Sequence, residues 1–205
     1  GRARGTRARR VLTVGTDCNV GKMAASLELT RTAAARGMDA AFVATGQTGI
    51  MIEGWGAAVD HVVCDFAAGV VESLVLHVAQ RQIVFVEGQG SVLHPAYSGV
   101  SLSLLHGSCP DAMILVHHAG RSHYRFDESI ALPDLRTLIE LHESMARPLH
   151  PCRVVGVALN TVGLSDGEAR RACEEVSRDV GLPSTDVVRF GADVLLDACV
   201  GQFRM

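Results

Sequence analysis

The 205 residues carry a formal net charge of −3, with 48% hydrophobic and 4% aromatic residues. That suits one α/β domain whose core is built from Val, Leu, Ala and Met. No apolar run reaches the roughly 18 residues of a membrane span, and the Arg-rich N-terminus lacks the apolar region of a signal peptide.

The six cysteines (Cys18, Cys64, Cys109, Cys152, Cys173, Cys199) are scattered without a C-x-x-C pair. This argues against a zinc site or a disulfide framework and for reduced, cytoplasmic thiols. Arg2, Arg4, Arg7, Arg9 and Arg10 make the first ten residues basic. They form either an arm for nucleic acid or a linker. The linker is favoured, because the acidic body continues no basic face and so offers nothing to nucleic acid. Residues 1–10 are thus set apart from an α/β domain over 11–205.

Val11-Leu12-Thr13-Val14 reads as a buried strand. Gly15-Thr16-Asp17-Cys18-Asn19-Val20-Gly21-Lys22 follows and fits the phosphate-binding P-loop pattern G-x-x-x-x-G-K. A helix follows to about Arg36. Gly15 and Gly21 allow the tight turn that points backbone N–H groups at a phosphate, and Lys22 reaches the outer phosphates. Lys22 is the only lysine in the chain, and a forked guanidinium does not replace a compact ammonium among phosphate oxygens. Met23 stands where a Mg²⁺-binding Ser or Thr is usual, and a thioether is a poor ligand for a hard cation. Either carboxylates from elsewhere hold the metal or the loop binds phosphates without one.

Residues 39–45 form a second predicted strand, ending in the polar turn Gly46-Gln47-Thr48-Gly49 at an edge where open α/β sheets place ligands. Residues 50–58 read as a loop and 59–63 as a short strand. Asp65 opens the next helix, where it either caps the N-terminus or faces the nucleotide. Residues 82–86 are the clearest buried parallel strand. Glu87 ends it ahead of Gly88-Gln89-Gly90, as P-loop enzymes present a carboxylate to Mg²⁺ or its bound water. Residues 92–109 read as a substrate loop plus a short helix, with His94 and Tyr97. Residues 111–118 form another strand, followed by Arg121, His123 and Arg125, suited to gripping a carboxylate or phosphate. A helix from Pro133, a strand ending at Asn160, a capped helix to Val180, a strand over 186–190 and a helix over 194–200 complete the chain. Together these make a mostly parallel sheet with helices on both faces, a P-loop three-layer sandwich.

The Gly-Thr-Asp and Val-Gly-Lys parts of the loop, Glu87-Gly88-Gln89-Gly90 and Asn160 resemble dethiobiotin synthetase. That resemblance implies Asp65 and Glu87 as Mg²⁺ partners and Asn160 near the nucleotide base. A closer resemblance covers nearly the whole chain. Gly15-Thr16-Asp17-Cys18, Phe42 to Gly49, Asp65-Phe66, Val86 to Ser91 and His94 to Gly99 look like the C-terminal domain of the D-glutamate N-acetyltransferase-like family. Members usually carry a Rossmann-like domain ahead of this one. This chain starts about ten residues before its first strand, so it is expected to be a stand-alone form or a fragment.

The leading functional expectation is an ATP-Mg²⁺ enzyme activating a small carboxylate or amino-acid-like substrate by phosphoryl transfer. Residues 15–23 and Asn160 hold the nucleotide, and Asp65 and Glu87 organise the metal. Gln47, Thr48, His94, Tyr97, Arg121 and His123 serve substrate and catalysis. An acetyl-CoA-dependent N-acyltransferase of an acidic amino acid, with His94 or His123 as base, is the alternative. A nucleotide-binding regulatory module is the third. A homo-oligomer is expected.

Overall fold

Successive strand residues face opposite ways, and here both faces are buried. Val11, Ile83, Phe85 and Ile114 pack with one helical layer, while Leu12, Val84, Val86 and Met113 pack with the other. This is why the strands read as continuous apolar runs. The computed structural model describes residues 1–203. In chain order the elements are β1 (Arg9–Gly15), α1 (Lys22–Ala35), β2 (Ala40–Val43), α2 (Gln47–Glu53), α3 (Cys64–His77), β3 (Ile83–Val86), α4 (Ser98–Ser108) and β4 (Ala112–His118). They continue with β5 (His123–Tyr124), β6 (Asp127–Ala131), α5 (Leu135–Ala146), β7 (Arg153–Asn160), α6 (Asp166–Val180), β8 (Ser184–Thr185) and α7 (Asp193–Gln202).

Six strands form a parallel sheet in the order β2-β3-β1-β4-β7-β8. Residues of α1 and α7 pack on one face, and those of α3, α4 and α5 on the other. This is the expected three-layer sandwich. Strand β1 lies between β3 and β4, so the loop after it emerges at the centre of the sheet's C-terminal edge, flanked by the ends of both neighbours. The ligand crevice of open α/β sheets lies at such a switch point.

The structure corrects three local expectations and adds one element. The predicted strand over 59–63 is a 3₁₀ turn, Val59–His61. Only Val59 is fully buried, so no alternating buried face existed to hold a strand. The polar turn and loop over 47–53 is helix α2. The last strand is Ser184–Thr185 rather than 186–190. The Asp186 carboxylate there accepts the N–H groups of Val188 and Arg189 at 3.0 and 3.1 Å, a side-chain turn that competes with strand pairing. Residues 121–131 are a β5–β6 hairpin outside the main sheet.

Residues 1–10 pack on the body rather than extending as an arm. Ala3 and Ala8 are buried, and Arg10 is 2% exposed within β1. The Arg10 guanidinium lies 2.8 Å from Asp111 Oδ1, and its backbone N–H donates to Oδ2 at 2.8 Å. His150 Nε2 lies 3.1 Å from the same carboxylate. Arg10 also donates to the Ala3 carbonyl and to Thr6 Oγ1. The predicted basic charge is therefore partly internal structure. All six cysteines are unpaired. Among the described residues no helix is long and apolar enough to cross a membrane.

Removing one partner of a buried ion pair strands the other charge. Asp111→Ala should therefore destabilise the domain by about 3 kcal/mol. Urea denaturation monitored by circular dichroism reads this directly. An unchanged midpoint would show that Arg10 is solvated rather than paired.

Candidate functional site

The glycine-rich loop divides into an inward and an outward half. Thr16 and Asp17 are fully buried. Thr16 donates its N–H to the Val116 carbonyl, and its Oγ1 lies 3.0 Å from His117 Nδ1. Burial pushes the His117 pKa down to about 4, so this partner is neutral. Asp17 Oδ1 accepts the Cys18 N–H at 2.6 Å, while Oδ2 accepts Arg121 at 3.0 Å and the Arg125 N–H at 2.9 Å. Arg121 also donates to the Cys18 carbonyl at 2.9 Å. These two predicted cofactor residues therefore brace the loop from behind.

Cys18, Asn19, Gly21, Lys22 and Met23 face a cleft of about 740 Å³. The Lys22 stem folds over Gly15, where an added Cβ would sit 2.7 Å from Nζ. Its ammonium donates to the Asp17 carbonyl at 2.7 Å. Burial lowers the Lys22 pKa to about 8. Its charge is thus held in a dry place, poised for an anion. Burial also raises the Cys18 thiol, so no thiolate is favoured there.

Glu87 follows the last residue of β3 and also lines the cleft. Its Oε2 accepts the N–H groups of Thr45 and Gly46 at 2.9 and 3.0 Å, just ahead of α2. Burial nevertheless raises its pKa. Gly49 lets this carboxylate sit close to α2, since an added Cβ would lie 2.4 Å from Glu87 Oε2 and displace it. Gly88 is tighter still: a Cβ would lie 1.7 Å from the Thr13 carbonyl oxygen. Thr13 Oγ1 accepts the Gly88 N–H at 3.0 Å and lies 2.9 Å from Ser26 Oγ. This network fixes the Glu87 wall to β1 and α1.

Gln47, Thr48 and Tyr97 line the cleft as the sequence suggested, Gln47 and Thr48 from the first turn of α2. Other predicted residues lie elsewhere. Asp65 is exposed at the start of α3 and is not part of the cleft lining. The carboxylate that joins Glu87 there is Asp60, on the 3₁₀ turn. Arg121 is committed to Asp17 rather than free for substrate. His123 is exposed on the hairpin, beside Ser122. His94 is 5% exposed and stacks against Tyr97 and Tyr124 at 4.6 and 5.2 Å. Its Nδ1 accepts the Ala96 N–H at 3.1 Å, so the neutral ring carries its proton on Nε2. In that state Nε2 faces Asp17 Oδ1 at 3.8 Å rather than the cleft lining.

Asp17, Cys18 and His94 place ligand atoms within 4.8 Å of one another. The same Nε2–H and the amide and guanidinium donors already on Asp17 make this a poor metal site. Phe126, at the hairpin tip, also lines the cleft and was missed. So was the second cavity, about 240 Å³, between α1, the end of β7 and residues 186–189. It shares Gly21, Ala24 and Asn160 with the main cleft and includes Val20.

A protonated Lys22 is the form that attracts phosphate, and its pKa of about 8 means it loses that proton as pH rises through 8. ADP affinity should therefore weaken between pH 7.5 and 9.5, and binding above pH 8 should take up a proton. Lys22→Ala should weaken ADP binding by roughly tenfold or more at pH 7, from the worth of a charge-assisted hydrogen bond. Calorimetric titration in buffers of different ionisation heat measures both. Affinity independent of pH in the parent protein would mean the ammonium does not reach the ligand.

Three comparisons place this geometry among known proteins. A family model described as the P-loop domain of DUF1611, a domain of unknown function, matches residues 1–196. A D-glutamate N-acetyltransferase from a Pseudoalteromonas species is 42% identical over 191 residues, covering 93% of this chain and 58% of the relative. The chain thus spans little more than half of that protein's length. The crystal structure of a DUF1611 family protein from Anabaena variabilis superposes with a TM-score of 0.95 at 48% identity, covering 97% of this chain and 59% of that one. Cobyrinic acid a,c-diamide synthase from Mycobacterium smegmatis, solved with an ATP analogue and magnesium, shares the fold at a TM-score of 0.60 and 9% identity, with 96% and 95% coverage. The matched P-loop model and the 48% identity to the Anabaena protein lead to one conclusion: the chain belongs to the DUF1611 family, and residues 1–196 match its P-loop domain.

Proposed function

We propose that this domain binds acetyl-CoA through its pyrophosphate and serves transfer of the acetyl group to the amine of an acidic amino acid such as D-glutamate. The carrying observation is the loop itself. It presents Lys22 to a phosphate chain without the usual hydroxyl beside it, since Met23 follows, and the carboxylates that share the cleft, Glu87 and Asp60, come from β3's end and the 3₁₀ turn rather than from the loop. Glu87 Oε2 already accepts two backbone amides. This donor set fits a pyrophosphate anchor better than a Mg²⁺-dependent γ-phosphate site. The name of the Pseudoalteromonas relative supports the same chemistry.

In this reading Lys22 and the loop amides hold the pyrophosphate, and the crevice beside Asn160 takes the adenine. Gln47, Thr48 and Tyr97 meet the amino acid. Glu87, whose burial raises its proton affinity, accepts a proton from the substrate ammonium. The neutral amine attacks the thioester carbonyl carbon. The C–N bond forms as the C–S bond breaks, and the second amine proton leaves with the CoA sulfur as a thiol.

ATP-dependent phosphoryl transfer is the second reading, favoured by the retention of Lys22 and by the fold shared with an ATP-analogue complex. Incubation with D-glutamate and either acetyl-CoA or ATP-Mg²⁺, following free CoA and ADP together, separates the two. CoA release is expected, and Glu87→Gln should cut its rate by about a hundredfold or more, the usual worth of a positioned base. ADP release without CoA would reverse the assignment.

A further inference from the structure

The side crevice is walled by apolar groups, among them Val20, Ala24, Leu159, Val162, Val187 and Val188. Three polar residues join them: Asn160, Asp186 and Arg189. Two are occupied by the backbone. Asp186 Oδ2 accepts the N–H and hydroxyl of Thr161, and Oδ1 accepts the N–H groups of Val188 and Arg189. Asn160 Oδ1 accepts the Val162 N–H at 3.1 Å, which leaves its amide NH₂ on the side of Gly21. Among the described residues, Arg189 is the one cation lining the crevice. Its guanidinium pairs at 3.0 Å with Asp166, whose side chain is 82% exposed. Such a solvent-screened pair is weak and exchangeable. Arg189 is held in place from behind, by its own N–H on Asp186, while its head is only loosely engaged.

From this arrangement we infer that Arg189 selects a 3′-phosphorylated adenosine diphosphate, the nucleotide portion of CoA, over plain ADP or ATP. The inference rests on the acetyl-CoA reading above. A flat heterocycle suits the apolar walls, and a pyrophosphate suits Lys22. The two cavities meet at Gly21, Ala24 and Asn160, so a ribose joining base and pyrophosphate lies at that junction. Lys22, the cation on the P-loop, is spent on the pyrophosphate. A phosphate added to the ribose then has Arg189 as its counter-charge, and a guanidinium matches phosphate oxygens with two parallel donors. Plain ADP brings nothing for that group to bind, so Arg189 adds to selectivity without adding to general nucleotide affinity.

The test is calorimetric titration of the parent protein, Arg189→Gln and Asp166→Asn with ADP, with 3′-phospho-ADP and with CoA. The parent should prefer 3′-phospho-ADP by about tenfold or more, about what one charge-assisted contact gives. Arg189→Gln should reduce that preference to near unity while ADP affinity stays unchanged. Asp166→Asn, which removes the competing carboxylate, should keep or increase it. A preference retained in Arg189→Gln, or absent from the parent while CoA still binds, overturns the role of Arg189 and leaves the CoA reading standing. Failure of CoA to bind the parent while ADP does overturns the CoA reading itself.

Discussion

The site depends on the buried carboxylate of Asp17. It lies within the phosphate-binding loop, yet it turns away from the cleft and takes three donors: the Cys18 N–H, the Arg121 guanidinium and the Arg125 N–H. A buried carboxylate without such partners would cost several kcal/mol or take up a proton. With them, it fastens the loop to the start of the β5–β6 hairpin and carries Phe126 to the cleft mouth. It also fixes the peptide whose carbonyl holds the Lys22 ammonium. The loop, the lysine and the hairpin therefore share one anchor.

The opposite wall is set by steric exclusion rather than by charge. Gly88 approaches the Thr13 carbonyl so closely that a single methyl group would not fit, and Gly49 leaves no room beside Glu87. Thr13, Ser26 and the Gly88 N–H close a small buried hydrogen-bond network behind that contact. The carboxylate is thus positioned by two backbone amides in front and a close backbone packing behind, with no flexible element between it and β1. Preorganisation of this kind is what the proposed proton acceptor needs.

Much of this was legible in the sequence because it rests on local signals. Five of the six main-sheet strands were visible as apolar runs, since a strand buried on both faces has no polar alternation to hide it. The loop was visible because glycine and lysine spacing encodes a backbone turn, and the cap of the helix to Val180 was visible at Ser165 or Asp166, where the structure completes a capping box between Ser165 and Glu168. What escaped were tertiary facts. Asp65 and Asp60 look equivalent in sequence, five residues apart, but only Asp60 is carried to the cleft by its turn. Arg121 reads as a free cation until Asp17, more than a hundred residues earlier, is seen to claim it. Arg10 reads as part of a solvated basic stretch until Asp111 is found beside it. Val187 and Val188 read as strand until the Asp186 side chain captures the amides of Val188 and Arg189. In each case a side chain far in sequence, or a side-chain-to-backbone bond, overrode the pattern.

The two titratable groups across the cleft show why its charge balance matters. Burial lowers Lys22 toward neutrality at about pH 8 and raises Glu87 in the opposite sense. Each group is therefore less charged in isolation than it would be in water, although each still favours the other's charged form. In the proposed reading, an incoming phosphate chain changes the two differently. It favours the lysine as a full cation, because an opposite charge nearby stabilises the charged form. It disfavours the ionised carboxylate, because a second anion in the same dry cleft repels it. Ligand binding thus strengthens Lys22 as an anchor and makes Glu87 readier to hold a proton. Both effects arise from the same desolvation, and both follow from placing Lys22 at the N-terminus of α1 and Glu87 after the end of β3, where the loops at the sheet's C-terminal edge converge.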